Sequence, residues 1–233
     1  MALPTSRRLI NERFSQKGRV IAAMVLIGAA FCGFPGRLAD AAEELQPSFF
    51  GSMEIRSENL KPFTKWRTAL ERYSAETARE RAGTCQSTMF NVCHYEELQR
   101  FLDGIGGKDR WDQLVEINRY MNTRRYITDP RNWGVPDYWA TPGEFMTKFG
   151  DCEDYAIAKF LSLKRLGWTD DELRIAAVED LNLKVGHAIL IVYHAGKTWV
   201  LDNQIKRVVE TESIRHYQPV YSINETSWWR HRS

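Results

Sequence analysis

The sequence predicts an α+β domain in which N-terminal helices pack on a C-terminal antiparallel β-sheet. Three observations carry that reading. Apolar residues recur at helical spacing from Pro62 to Leu166. Beyond Glu172 the chain becomes rich in β-branched and aromatic residues, punctuated by Asn, Gly and Asp. Within that second half, His194-Ala195-Gly196-Lys197 reads as a hairpin turn between two strands.

The elements follow in order. Residues 43–60 form a polar lead-in with a little extended structure. From Pro62 to about Ala82, Trp66, Leu70, Tyr73 and Thr77 share a helical face, and Gly83 ends the helix. A short helix is expected near Tyr95–Leu102. Another spans about Asp109 to Arg124, with Trp111, Leu114, Val115, Asn118 and Met121 on one core-facing side. Residues 127–140 read as loop. Thr141-Pro142-Gly143-Glu144 combines a capping box with proline at the first helical position, and Gly150 stops the short helix it starts. The next helix begins at Cys152 and is expected to pack on the sheet. Thr169–Glu172 is a second capping box. Strands are expected at 173–178, 185–193, 197–201, 207–210 and near 220–223.

With 233 residues, 43% hydrophobic and 12% aromatic, the chain can bury one sizeable core. The net charge is +2. Residues 1–42 carry six Lys/Arg against two Asp/Glu, so the remainder is at −2. That balance gives no electrostatic basis for binding nucleic acid. Residues 1–42 read as a signal peptide, with Arg7, Arg8, Arg13, Lys17 and Arg19 ahead of an apolar run from Val20 to Phe34 and the small residues Ala39-Asp40-Ala41 after it. The run is 15 residues, short of the roughly 20 that span a bilayer. Export to the periplasm is therefore expected, with residues 43–233 as the mature domain. An uncleaved anchor and a buried core helix are the other readings of this segment.

In an oxidising compartment the default for Cys85 and Cys93 is a local disulfide. A zinc site with His94 lacks an evident fourth ligand. Cys32 belongs to the leader, which leaves Cys152 as an unpaired thiol.

Gly150-Asp151-Cys152-Glu153-Asp154-Tyr155-Ala156 places that thiol at a helix N-terminus, where unpaired N–H groups and the helix dipole favour thiolate. Asp151, Glu153 and Asp154 oppose it by raising the thiol's pKa unless a cation offsets them. Such dense oxygen ligands suit Ca²⁺. A thiol nucleophile also needs a base and a group that orients the base. His187 enters a strand in Val185-Gly186-His187-Ala188, where Gly186 could let the thiol helix approach. Asp202 ends the next strand, at the same open end of the hairpin.

Three blocks, Gly-Asp-Cys-Glu-Asp-Tyr-Ala at 150–156, Gly-His-Ala at 186–188 and Trp-x-x-Asp at 199–202, resemble the papain/transglutaminase-like core. With Asp137-Tyr138-Trp139-Ala140-Thr141-Pro142 ahead of them, the chain resembles the bacterial transglutaminase-like cysteine proteinases over about residues 60–225. The resemblance implies Cys152 as nucleophile, His187 as base and Asp202 as orienter. It implies Ca²⁺ held by Asp151, Glu153 and Asp154. It also implies a protein substrate: periplasmic members of the LapG type release large surface adhesins, a biofilm function, under an inner-membrane cyclic-di-GMP receptor. A transglutaminase-type acyl transferase and a non-catalytic Ca²⁺-binding adaptor are the alternatives.

Overall fold

The computed structural model describes residues 46–78 and 91–232. The expected leader, the helix stop at Gly83 and Cys85 lie outside them. Cys93 is disulfide-bonded.

Among the described residues, strand β1 (Met53–Ser57) is followed by six helices: α1 (Thr64–Ala78), α2 (Val92–Ile105), α3 (Arg110–Asn122), α4 (Asp129–Asn132), α5 (Pro142–Lys148) and α6 (Cys152–Arg165). Strands β2 (Leu173–Asp180), β3 (Val185–His194), β4 (Lys197–Leu201), β5 (Val209–Glu210), β6 (Tyr217–Ile223) and β7 (Trp228–Arg232) follow. Side-chain caps start α3 and α5 where the sequence placed them, and α2 three residues ahead of the expected Tyr95. Asn91 accepts the N–H groups of Cys93 and His94, and Asp109 accepts that of Asp112. The Thr141–Glu144 box closes in both directions, at 3.2 and 2.9 Å.

The seven strands form one antiparallel sheet in the order β1-β7-β6-β2-β3-β4-β5. The β3–β4 turn is two residues long, Ala195 and Gly196, with φ of 53° and 72°. That twist matches the flanking strands and fixes their register. One face of the sheet, through Ile175, Leu190, Val192 and Leu201, meets the helices. The other buries Val178, Ile189, Ile191 and Val200 with Phe49 and Ile214. Helix α6 is the centre of the first layer: every residue from Asp154 to Leu163 is buried. A helix apolar or buried all round is a core helix, which explains why its start is held so firmly.

Several expectations need adjusting. In α3 the buried stripe is Leu114, Ile117, Asn118 and Met121, whereas Trp111 and Val115 are 37% and 39% exposed. Only a narrow side of α3 packs on α6. The Trp111 ring instead leans on Trp199 of β4, with centroids 4.4 Å apart. Residues 207–208 do not pair, so β5 is two residues long. Strand β7 was not expected, because its arginines interrupt an apolar run. They are exposed while Trp229 and His231 point inward, which is ordinary strand alternation.

His231 is held on both ring nitrogens, by Ser52 Oγ at 2.7 Å and Ser222 Oγ at 2.9 Å. Burial, helped by the Arg174 charge, lowers its pKa to about 4. A base whose folded pKa lies below its unfolded value near 6.5 is fully stabilising above that value. Its contribution is lost as pH falls from about 6.5 towards 4. His231→Gln keeps a donor and an acceptor but does not titrate. The stability advantage of the wild type over this variant is expected to shrink across that window in urea melts; an advantage that is constant with pH would contradict it.

Candidate active site

Helix α5 ends at Phe149, a non-glycine residue at φ 65° whose carbonyl is held by Asn132 Nδ2 at 3.1 Å. Such a backbone is strained and needs surrounding structure to keep it. Gly150 then pairs with the 126–127 strap: the Ile127 N–H donates to the Gly150 carbonyl at 2.9 Å. Cys152 is the first residue of α6 and is only partly buried.

The three predicted carboxylates divide. Asp154 is fully buried and turns back to cap the chain behind it. Its Oδ1 accepts the Ala140 N–H at 2.7 Å and its Oδ2 the Asp151 N–H at 3.2 Å. Asp151 and Glu153 instead gather with Asp129 of α4, whose ligand oxygens lie within 4.8 Å of theirs. The Asp129 N–H donates to Asp151 Oδ2 at 3.2 Å. Asp129 Oδ1 and Asp151 Oδ1 are both buried and neither has a hydrogen-bond partner. Burial raises Asp129 to about 6, and burial together with the Glu153 charge raises Asp151 to about 7. Two orphaned carboxylate oxygens in a cluster of three acids fit a hard divalent cation.

The same acids bear on the thiol. Cys152 Sγ donates to Glu153 Oε2 at 3.1 Å. Burial first, then the Glu153 charge, push its pKa well above the ordinary thiol value, against the Ala188 N–H that bonds the sulfur.

His187 Nε2 meets Asp202 Oδ1 at 2.9 Å, with both side chains buried. Asp202 also accepts the Tyr217 hydroxyl on Oδ2 at 2.7 Å and the Gln204 N–H on Oδ1 at 2.8 Å. Burial would raise Asp202, but these bonds and the His187 charge outweigh it and hold the carboxyl below its usual pKa. The other ring nitrogen, Nδ1, lies 3.5 Å from Gln204 Nε2. The structure thus joins His187 to Asp202 directly. It brings the Ala188 N–H, on the residue after His187, near enough to the Cys152 thiol to favour the thiolate. Gly186 does not serve helix approach, because a side chain there would meet no atom within 4 Å.

Sequence reading missed Asp129, Tyr217 and Gln204. Asp129-Pro130 carries the signal of a helix start but none for joining the acids at 151 and 153; Tyr217 had no signal at all.

A side chain at Gly150 would collide with the Asp154 carboxylate. Gly150→Ala is expected to destabilise the fold by about 2 kcal/mol or more, read as a fall in denaturation midpoint, and to slow Cys152 alkylation by displacing the start of α6. Unchanged stability would show that Asp154 can move aside at no cost.

The profile of the bacterial transglutaminase-like cysteine proteinases, BTLCP, matches residues 82–231. No curated protein matches the chain in sequence. Among solved structures it is similar to calcium-bound LapG of Legionella pneumophila, at 27% identity and a TM-score of 0.57 over 68% of this chain and 87% of that one. An unqualified LapG structure from the same organism gives 28% identity and a TM-score of 0.55 over 70% and 87%. EGTA-treated LapG gives 27% and 0.56 over 71% and 87%. The chain belongs to the bacterial transglutaminase-like cysteine proteinase family.

Proposed function

We propose that this cysteine protease is a periplasmic, calcium-dependent endopeptidase working through Cys152, His187 and Asp202. The observation that carries the reading is the tie between His187 Nε2 and Asp202 Oδ1. It fixes the ring with Nδ1 turned away from Asp202, where its one long contact is the Gln204 amide at 3.5 Å, and leaves that nitrogen to serve the thiol.

In this reading Nδ1 of His187 takes the Cys152 proton, and the thiolate adds to a peptide carbonyl. The Cys152 N–H, at the open start of α6, donates to the oxyanion; one such donor is worth roughly 3 kcal/mol. The imidazolium, stabilised by Asp202, returns the proton to the leaving amine. Water then adds to the thioester with His187 as base, releasing the acid and restoring the thiol. Asp129, Asp151 and Glu153 would hold Ca²⁺, which would offset the negative charge that opposes the thiolate. The expected leader at 1–42 supports export. The LapG resemblance extends the proposal to a large surface adhesin as substrate and an inner-membrane cyclic-di-GMP receptor as restraint.

Cys152→Ala is expected to abolish cleavage of a co-expressed adhesin fragment with the fold intact by circular dichroism. Asp202→Asn is expected to lower kcat about two to four orders of magnitude. Cleavage retained by Cys152→Ala would refute the assignment.

Chelation with EGTA is expected to stop cleavage and added CaCl₂ to restore it. Asp129→Asn should weaken Ca²⁺ binding, measured by titration calorimetry, by about tenfold or more. Equal affinities in wild type and variant would remove Asp129 from the site.

A further inference from the structure

Strand β3 runs past the end of its neighbour. The two-residue turn makes His194 and Lys197 a hydrogen-bonded pair, so alternate residues of β3 back to Gly186 direct their N–H and C=O towards β4. Pairing with β4 ends at Leu190 and Leu201. The next such residue, Ala188, directs its N–H to the same side by this register, the side on which it acts on the Cys152 thiol. The one after that, Gly186, has no strand beside it on that side.

Gly186 has no conformational need to be glycine. Its φ is not in the left-handed region, and it sits in register opposite Glu179 of β2. It has no packing need either, since a Cβ there would enter open space. By strand alternation that space lies on the face of Ala188 and Leu190, the face that meets α6. An unpaired backbone edge and an empty side-chain position therefore coincide beside the thiol.

We propose that Gly186 is the docking point of the substrate main chain: an extended polypeptide segment continues the sheet where β4 stops. Its backbone exchanges hydrogen bonds with the Gly186 N–H and C=O, which carries the scissile carbonyl to Cys152. This rests on the protease reading above. The occupant is an extended segment because only an extended chain offers its N–H and C=O at the spacing of a strand edge. Glycine at 186 keeps the approach clear of any side chain.

The test separates docking from thiol chemistry in the full-length mature protein with Ca²⁺ present. Iodoacetamide alkylates a reactive thiol without a docked chain; acetyl-Ala-Ala-Ala vinyl sulfone has to present an extended backbone. Gly186→Val, with a β-branched residue that suits a strand, is expected to slow the peptidyl probe at least tenfold while iodoacetamide alkylation stays within twofold. On the wild type, methylating the probe's amide nitrogens one at a time is expected to cost at least tenfold at one position, whatever the variant does to folding. Wild-type reactivity of Gly186→Val towards the peptidyl probe would overturn the proposal. So would a probe indifferent to every N-methylation, or a wild type that iodoacetamide modifies and the peptidyl probe does not. Iodoacetamide labelling no faster than in Cys152→Ala would instead sink the protease reading itself.

Discussion

Negative charge crowded around a single sulfur is the constraint that shapes this site. Asp129, Asp151 and Glu153 converge where Cys152 begins α6, and two of their oxygens are buried with nothing to bond. A folded chain keeps such an arrangement only when something else over-determines it. Here the burial of α6 on every side does so. The helix cannot rotate or slide to relieve its first turn without opening the core. The Asp154 carboxylate, the strained Phe149 and the strap bonded to Gly150 then lock the turn from outside. Repulsion at the start of α6 is thus balanced by packing along its length.

The other half of the site is built on different physics. His187 and Asp202 stand on neighbouring strands, and their bond is buried under Tyr217. Their alignment follows from strand register, which the two-residue turn at Ala195-Gly196 dictates. One half of the site is therefore set by a helix start and the other by a hairpin. The two meet where the Ala188 N–H of β3 acts on the Cys152 thiol of α6. Below that junction, on the same side of α6 two turns on, Lys159 is wholly buried with its Nζ unbonded. Burial lowers its pKa to about 7, against the pull of Asp202. A lysine so placed costs stability and leaves a titratable cation under the acid that holds the imidazole.

How much of this was legible in the sequence depends on how local each signal is. The Thr141 and Thr169 boxes, the start of α6 and the β3–β4 turn involve residues two to four apart, and each was readable. The alternation of β7 was masked by its own arginines. Asp154 looked equivalent to its neighbours because composition does not say which way a carboxylate turns. Its third position in the helix, opposite the Asp151 N–H, does say so, and the spacing Asp-x-x-Asp was available. Asp129 lies 22 residues before Asp151 in sequence and reaches it only because the 126–127 strap is bonded to Gly150. No local pattern encodes that meeting.

Gly186 shows the limit from the other direction. A glycine in a strand ordinarily signals a bulge, a bend or a close approach, and close approach of α6 was the natural expectation. The space beside it is open. A residue that satisfies no demand of the folded chain has to be explained by something outside the chain. On that strand the thing outside would lie in line with β4, one backbone hydrogen-bond step from the sulfur. The sheet of this protein is then finished only while a peptide is bound, and the edge it leaves unpaired is short enough, a single residue, to be no hazard for aggregation when it is not.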